Sequence, residues 1–177
     1  MILTIEQLRS QVDCGGMTDD VIKQRLKAIE EVIRAYTHNN FQNRNVRFVA
    51  SSDGQNLTCE PFFLRIGDSI QISQSGANDG IYEVLAVGDN GLTVDAELFS
   101  IEENLITKVE YPADVYQCAV DLFKWQKDFG AKIGIKSESE TLSRHGESVT
   151  YEDSTTLFMG YPVGILNGLS LHKKARC

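Results

Sequence analysis

The chain has no CxxC pair, no GxGxxG, no GxxxxGK followed by Ser or Thr, no HExxH and no GxSxG. A zinc ribbon, a dinucleotide fold, a P-loop, a zincin and a nucleophile elbow therefore have no support. The three histidines, His38, His145 and His172, are too scattered to form a metal pair and read as solvated loop residues. The four cysteines, Cys14, Cys59, Cys118 and Cys177, are far apart, and they read as free thiols, with Cys118 as a core filler. No apolar run approaches the roughly 18 residues that span a bilayer, so no membrane association is expected. The start, MILTIEQLRS, lacks a basic n-region and a small-residue cleavage site, so synthesis in a cytoplasm is expected.

Basic residues are scarce in one place. The net charge is −8, and residues 46–111 carry three basic against eleven acidic side chains. A free-standing duplex-DNA binder needs a basic face that releases counterions from phosphate. This chain lacks one in bulk. Hydrophobic residues make up 42% and charged residues 24%, which suits a packed core and excludes global disorder.

Periodicity then divides the 177 residues. Residues 4–13 read as a short helix, with Ile5, Leu8 and Val12 on one side and Gly15-Gly16 as the stop. Thr18 caps a longer helix whose first turn carries Asp19 and Asp20. Ile22, Leu26, Ile29, Ile33 and Tyr36 form its main apolar stripe, and Val21, Ala28, Val32 and Ala35 a second. Between Val46 and Glu110 the period shortens. Segments 46–49, 62–66, 69–73, 80–87, 91–94 and 105–109 read as short strands, punctuated by Gly67-Asp68, Asn78-Asp79-Gly80 and Asp89-Asn90-Gly91. Pro112 opens a third helix to about Ala131. Val115, Ala119, Leu122 and Phe129 mark one face; Tyr116, Val120 and Phe123 mark another. A polar hairpin or arm follows at 136–153, with His145-Gly146-Glu147 at its tip. A short helix is expected near 162–170, and the end is basic.

The expected fold class is α+β: a small helical bundle of about three to four helices, interrupted by an antiparallel β insert. The expected domains are a helical one, 1–45 and 112–177, and an inserted small β-barrel-like module, 46–111. Acid pairs have plain readings. Asp19-Asp20 is helix capping, Glu102-Glu103 a solvated turn before a strand, and Asp89-Asn90-Gly91 a hairpin turn rather than a calcium loop. Phe62, Phe63 and Tyr82 read as core rather than base-stacking residues. No catalytic, cofactor or metal site is indicated. A hidden hydrolase would need a pocket of convergent polar groups.

The order of parts carries a resemblance. The capped helix ending at Tyr36 to Phe41, the helix YPADVYQCAVDLFKWQ, the Ser/Glu-rich arm with Ser148-Val149-Thr150-Tyr151, and the Tyr161-Pro162 segment with a basic end resemble the bacteriophage head-tail connector (adaptor, head-completion) family. The resemblance covers the helical parts; the β segment departs from the shorter family members. It implies a homo-oligomeric ring, a dodecamer in the virion, at the head-tail junction below the portal protein, and makes the cytoplasm of synthesis that of a bacterial host. The ring extends the DNA channel and seats the next neck or stopper protein. Double-stranded DNA passes through without specific binding, and no cofactor is implied. The wide apolar arcs place subunit contacts at Val21, Ala28, Val32, Tyr116, Val120 and Phe123. The C-terminal tail, Leu169, Leu171, Lys173, Lys174 and Arg176, is the expected portal-docking segment. A stopper-like neck protein is the alternative.

Overall fold

In the computed structural model, residues 1–60, 63–130, 137–142, 145–150 and 156–175 are described. They form two compact units. Met1–Thr4 and Asn39–Pro112 make the first, and Ile5–His38 and Ala113–Cys177 the second.

The first unit is a curled antiparallel sheet of β1 (Gln42–Thr58), β2 (Ser69–Ser73), β3 (Gly80–Gly88) and β4 (Gly91–Val109). β1 and β4 run side by side from Gln42↔Val109 to Thr58↔Gly91. The other edge of β4 is shared. Its C-terminal end takes β2, Ser69↔Val109 to Ser73↔Leu105, and its N-terminal end takes β3, Val84↔Val94 to Gly88↔Gly91. β2 and β3 also pair with each other, Ser69↔Glu83 to Ile72↔Gly80. These three pairings bend β4 round a core that includes Leu57, Ile70, Ile72, Val84, Val94 and Ile106. Asp89-Asn90 is the two-residue turn between β3 and β4. Next to it a Cβ on Gly91 would stand 2.5 Å from the Leu57 carbonyl oxygen, so β1 approaches β4 closely only because Gly91 has none.

The β1–β4 ladder slips at four places, between Asn43 and Arg47, Ala50 and Ser52, Ser52 and Gly54, and Gly54 and Asn56. Each slip leaves backbone groups without their ladder partners. Buried polar side chains replace some of them. Asn78 Nδ2 donates to the Phe99 carbonyl at 2.9 Å, and the Phe99 N–H donates back to Asn78 Oδ1 at 2.9 Å. Asn104 Nδ2 donates to the Ala50 carbonyl at 3.1 Å and to Ser52 Oγ at 3.1 Å. The Ser52 hydroxyl donates to the Phe99 carbonyl at 2.6 Å. The N-terminal ammonium reaches the Ser69 hydroxyl in the same unit.

The second unit contains α1 (Ile5–Arg9), α2 (Asp19–Thr37), α3 (Ala113–Phe129), a β5 (Ser137–Leu142)–β6 (His145–Thr150) hairpin, and a small β7 (Leu157–Phe158)–β8 (Tyr161–Pro162) pair. Then come α4 (Val163–Leu166) and a 3-10 turn, Asn167–His172. Thr18 precedes α2 in extended geometry, φ −71° and ψ 156°, with no side-chain cap bond, so Asp19 and Asp20 serve the dipole without a Thr18 cap. His38 ends α2 in the left-handed region at φ 50°, its N–H donating to the Arg34 carbonyl. Arg9 ties α1 to the first turn of α2 through Asp19 at 2.7 Å. Ile22, Leu26, Ile29 and Ile33 of α2 and Val115, Ala119, Leu122 and Phe123 of α3 are fully buried.

The chain is not the expected helical bundle with a β insert. Helix and strand each take roughly 36% of the chain, in an α+β fold of about four helices, a four-stranded antiparallel sheet and a small two-stranded sheet. The sheet is a principal element. Two physical causes account for the difference. Helices are shorter than their apolar patterns: α1 stops at Arg9, and the stretch near 162–170 holds one turn of α-helix followed by a 3-10 turn. Strands are longer than theirs, because Ser52, Asp53 and Gly54 form slips inside a 17-residue strand rather than a turn ending a short one. Likewise Glu102 and Glu103 lie within the 19-residue β4, not in a turn before it. Described residues 63–66 of the expected strand 62–66 lie in a loop.

Candidate functional site

The residues expected at a subunit contact separate by burial. Val32, Val120 and Phe123 lie inside the second unit at 4%, 1% and 0% exposure. Their apolar arc is used within the chain, so they have no surface to offer a neighbour. Val21, Ala28 and Tyr116 remain at the surface, with Phe129. The largest exposed apolar side chains lie elsewhere. Phe63 and Ile66 stand out on the β1–β2 loop, Phe99 on β4 and Val49 on β1. The expectation of Phe63 as a core residue fails: it is 80% exposed with φ at 63°. Lys108 holds that loop in place. Its Nζ donates to the Phe63 carbonyl at 3.2 Å and pairs with Asp68 at 3.0 Å and Glu110 at 3.3 Å.

The C-terminal tail docks on its own unit. Leu169 is buried, whereas Leu171 is almost wholly exposed. The Lys174 N–H donates to the Thr37 carbonyl at 2.8 Å, satisfying an orphan at the end of α2. Lys173 Nζ lies 3.8 Å from the centroid of the Tyr36 ring. The Tyr36 hydroxyl donates to Asn167 Oδ1 at 2.7 Å, and the same ring meets Phe158 edge-on at 5.4 Å. Tyr36 thus gathers three C-terminal segments, a role its place in an apolar stripe did not reveal. Arg176 lies outside the described residues.

His172 Nε2 is 2.6 Å from Asp114 Oδ2. This hydrogen bond is the main cause that holds the Asp114 carboxyl below its ordinary value, with the imidazole charge adding to it. A carboxylate lowered in the folded state stabilises above its unfolded value and stops doing so as pH falls through the folded one. The Lys174 amide is therefore expected to lose hydrogen-exchange protection in acid, below the ordinary carboxylate range. Asp114→Asn is expected to weaken protection at neutral pH and to flatten that acid dependence.

Asp114 also edges a surface depression of about 400 Å³ with Gln117, Cys118, Asp121, Ile165 and Leu169. Burial, reinforced by Asp121 and Asp114, pushes the Cys118 thiol up to about 12. The thiolate is the reactive form, so this cysteine is no nucleophile near neutrality. Iodoacetamide at pH 8 is expected to spare Cys118 in the native chain and to modify it after denaturation, as read by peptide mass spectrometry. Modification of Cys118 in the folded chain at the rate of a free thiol would contradict its burial. A second depression, about 380 Å³ beside the β3–β4 turn, has no titratable side chain in its lining, which includes Asn56, Thr58, Val87 and Thr93. Among the described residues, no group of three or more His, Cys, Asp or Glu side chains is placed to hold a metal ion.

No protein-family model matches the chain, and no curated protein matches it. Cys14, Cys59 and Cys118 are free thiols. No helix of the described residues is long and apolar enough to cross a membrane. Arg9 occupies Asp19, in keeping with a structural role for that acid pair. The hairpin formed by β5 and β6 pairs in register from Ser137↔Thr150 to Leu142↔His145. The rest of segment 136–153 lies outside the described residues.

Proposed function

We propose that the chain is a structural subunit of a phage head-tail junction that associates into a ring below the portal and prolongs the DNA channel. The observation that carries this reading is the pair Phe63 and Ile66, 80% and 70% exposed on one loop that Lys108 fastens. An exposed aromatic in left-handed geometry, held by an ion pair network, is costly for a lone chain and useful at a contact. Val21, Tyr116 and Phe129 add partly exposed apolar surface on the second unit. The eleven acids of residues 46–111 suit a channel through which phosphate slides without sticking.

Native mass spectrometry of the purified chain, alone and with a portal protein, tests the reading. A ring, free or on the portal, is expected. A chain that stays monomeric in both settings overturns it. The size of the sheet favours one second reading, a stopper-like neck protein. That protein would bind a preformed connector ring and leave the portal alone, which the same measurement distinguishes.

A further inference from the structure

We propose that the hairpin of β5 and β6 in one copy of the chain adds to the free edge of β1 in another copy. The proposal rests on the ring reading and names its contact.

β1 is the terminal strand of its sheet and, among the described residues, pairs only with β4. A 17-residue edge is long, and long edges recruit strands unless something blunts them. Here the slips blunt most of it. One interior stretch is straight: Arg47 to Ala50 pairs in unbroken register with Thr107 to Asn104. This stretch is short enough for a six-residue strand to cover. On it Arg47 and Val49 are exposed, and Arg44 is exposed just before it. No acid lies between Gln42 and Ser52. A basic-and-apolar edge, on which Arg47 Nε also donates to Thr107 Oγ1 at 3.0 Å, is thus framed by irregular backbone.

The hairpin has the complementary defect. Among the described residues its strands pair only with each other, and a lone two-stranded hairpin is marginal in water. Its register puts Glu140 directly opposite Glu147. The two strands carry Glu138, Glu140 and Glu147 and neither lysine nor arginine. Like charges gathered in so short a hairpin repel. A basic partner edge relieves the repulsion, and a third strand supplies the missing ladder. Arg44 and Arg47 meet the first need and the straight stretch of β1 the second. Each copy carries one hairpin and one edge, so the contact is heterologous and propagates head to tail until it closes.

Charge exchange tests the proposal on the full-length chain. One variant carries Arg44→Glu and Arg47→Glu; a second carries Glu138→Lys and Glu140→Lys. Circular dichroism confirms the fold of each, and the second variant leaves the sheet untouched. By sedimentation velocity each variant alone is expected to self-associate at least roughly tenfold more weakly than wild type. An equimolar mixture is expected to assemble again, because every edge then meets a hairpin of opposite charge. Assembly of either variant as strong as wild type overturns the hairpin contact and leaves the ring reading standing. So does a mixture that stays dissociated, the result expected if the hairpin sits on its own chain. A wild-type chain that never assembles, with or without portal, overturns both.

Discussion

Replacing Asn104 with alanine is expected to destabilise the sheet by about 3 kcal/mol. Asn104 is fully buried, and its amide donates to Ser52 Oγ and to the carbonyls of Ala50 and Ile101. Its Oδ1 accepts from Asn78 at 3.3 Å. Alanine takes the amide donor from the Ala50 and Ile101 carbonyls, while Ser52 Oγ still accepts from Asn78 Nδ2 at 3.0 Å. An orphaned buried polar group costs about 1–3 kcal/mol, and here several belong to one network. The slips between Ala50 and Gly54 also lose the side chain that bridges them. Urea unfolding followed by far-UV circular dichroism measures the change. Asn56→Ala is the control, since its side chain accepts from Thr93 at the surface, and should shift stability by less than about 0.5 kcal/mol. Equal effects from the two would show that the network is not what holds the irregular ladder.

Phe123→Ala should cost the second unit about 4 kcal/mol. The ring is wholly buried and among the largest enclosed side chains of the chain. Truncation removes its transfer energy and leaves a cavity in α3, whose neighbours Ala119, Val120 and Leu122 are buried too. Trp125, the single tryptophan, lies two residues on and 6.0 Å from the Tyr161 ring, so its fluorescence reports this unit directly. Tyr116→Ala, at a side chain 37% exposed, should move the same midpoint by under about 1 kcal/mol. The comparison separates two roles that one helical wheel assigns together. An interface residue would weaken assembly and spare the midpoint; a core residue moves the midpoint first. A Phe123→Ala chain with an unchanged midpoint would contradict the packing described here.

Much of the helical order was legible because local signals agree. Thr18, Asp19 and Asp20 precede an apolar stripe that runs to Tyr36, and α2 spans Asp19–Thr37. Pro112 stands one residue before α3. The sheet was harder to read. Ser51-Ser52-Asp53-Gly54 has turn composition, yet β4 keeps it in the ladder, and pairing partners about 50 residues away leave no local trace. Buried amides are equally silent: Asn78 sits in a run of turn residues and Asn104 between two acids and a leucine. The width of an apolar arc overstated the free surface, since Val32, Val120 and Phe123 found partners inside the chain. Exposure of Phe63 ran the other way, against the residue's own preference. The cations of the tail gave no sign that Tyr36 and the last carbonyl of α2 hold it.

Gln42 and Val109 are paired at one end of the sheet. Just outside them the Glu110 N–H donates to the Phe41 carbonyl at 2.9 Å, and the Phe41 and Tyr111 rings lie 5.1 Å apart. Tension along the polypeptide would arrive at these two neighbouring points in opposite directions. The β1–β4 ladder would then unzip one rung at a time and not resist as a sheared block. Within this ladder a pulling measurement should find it the first place to yield, with the aromatic clasp as its latch.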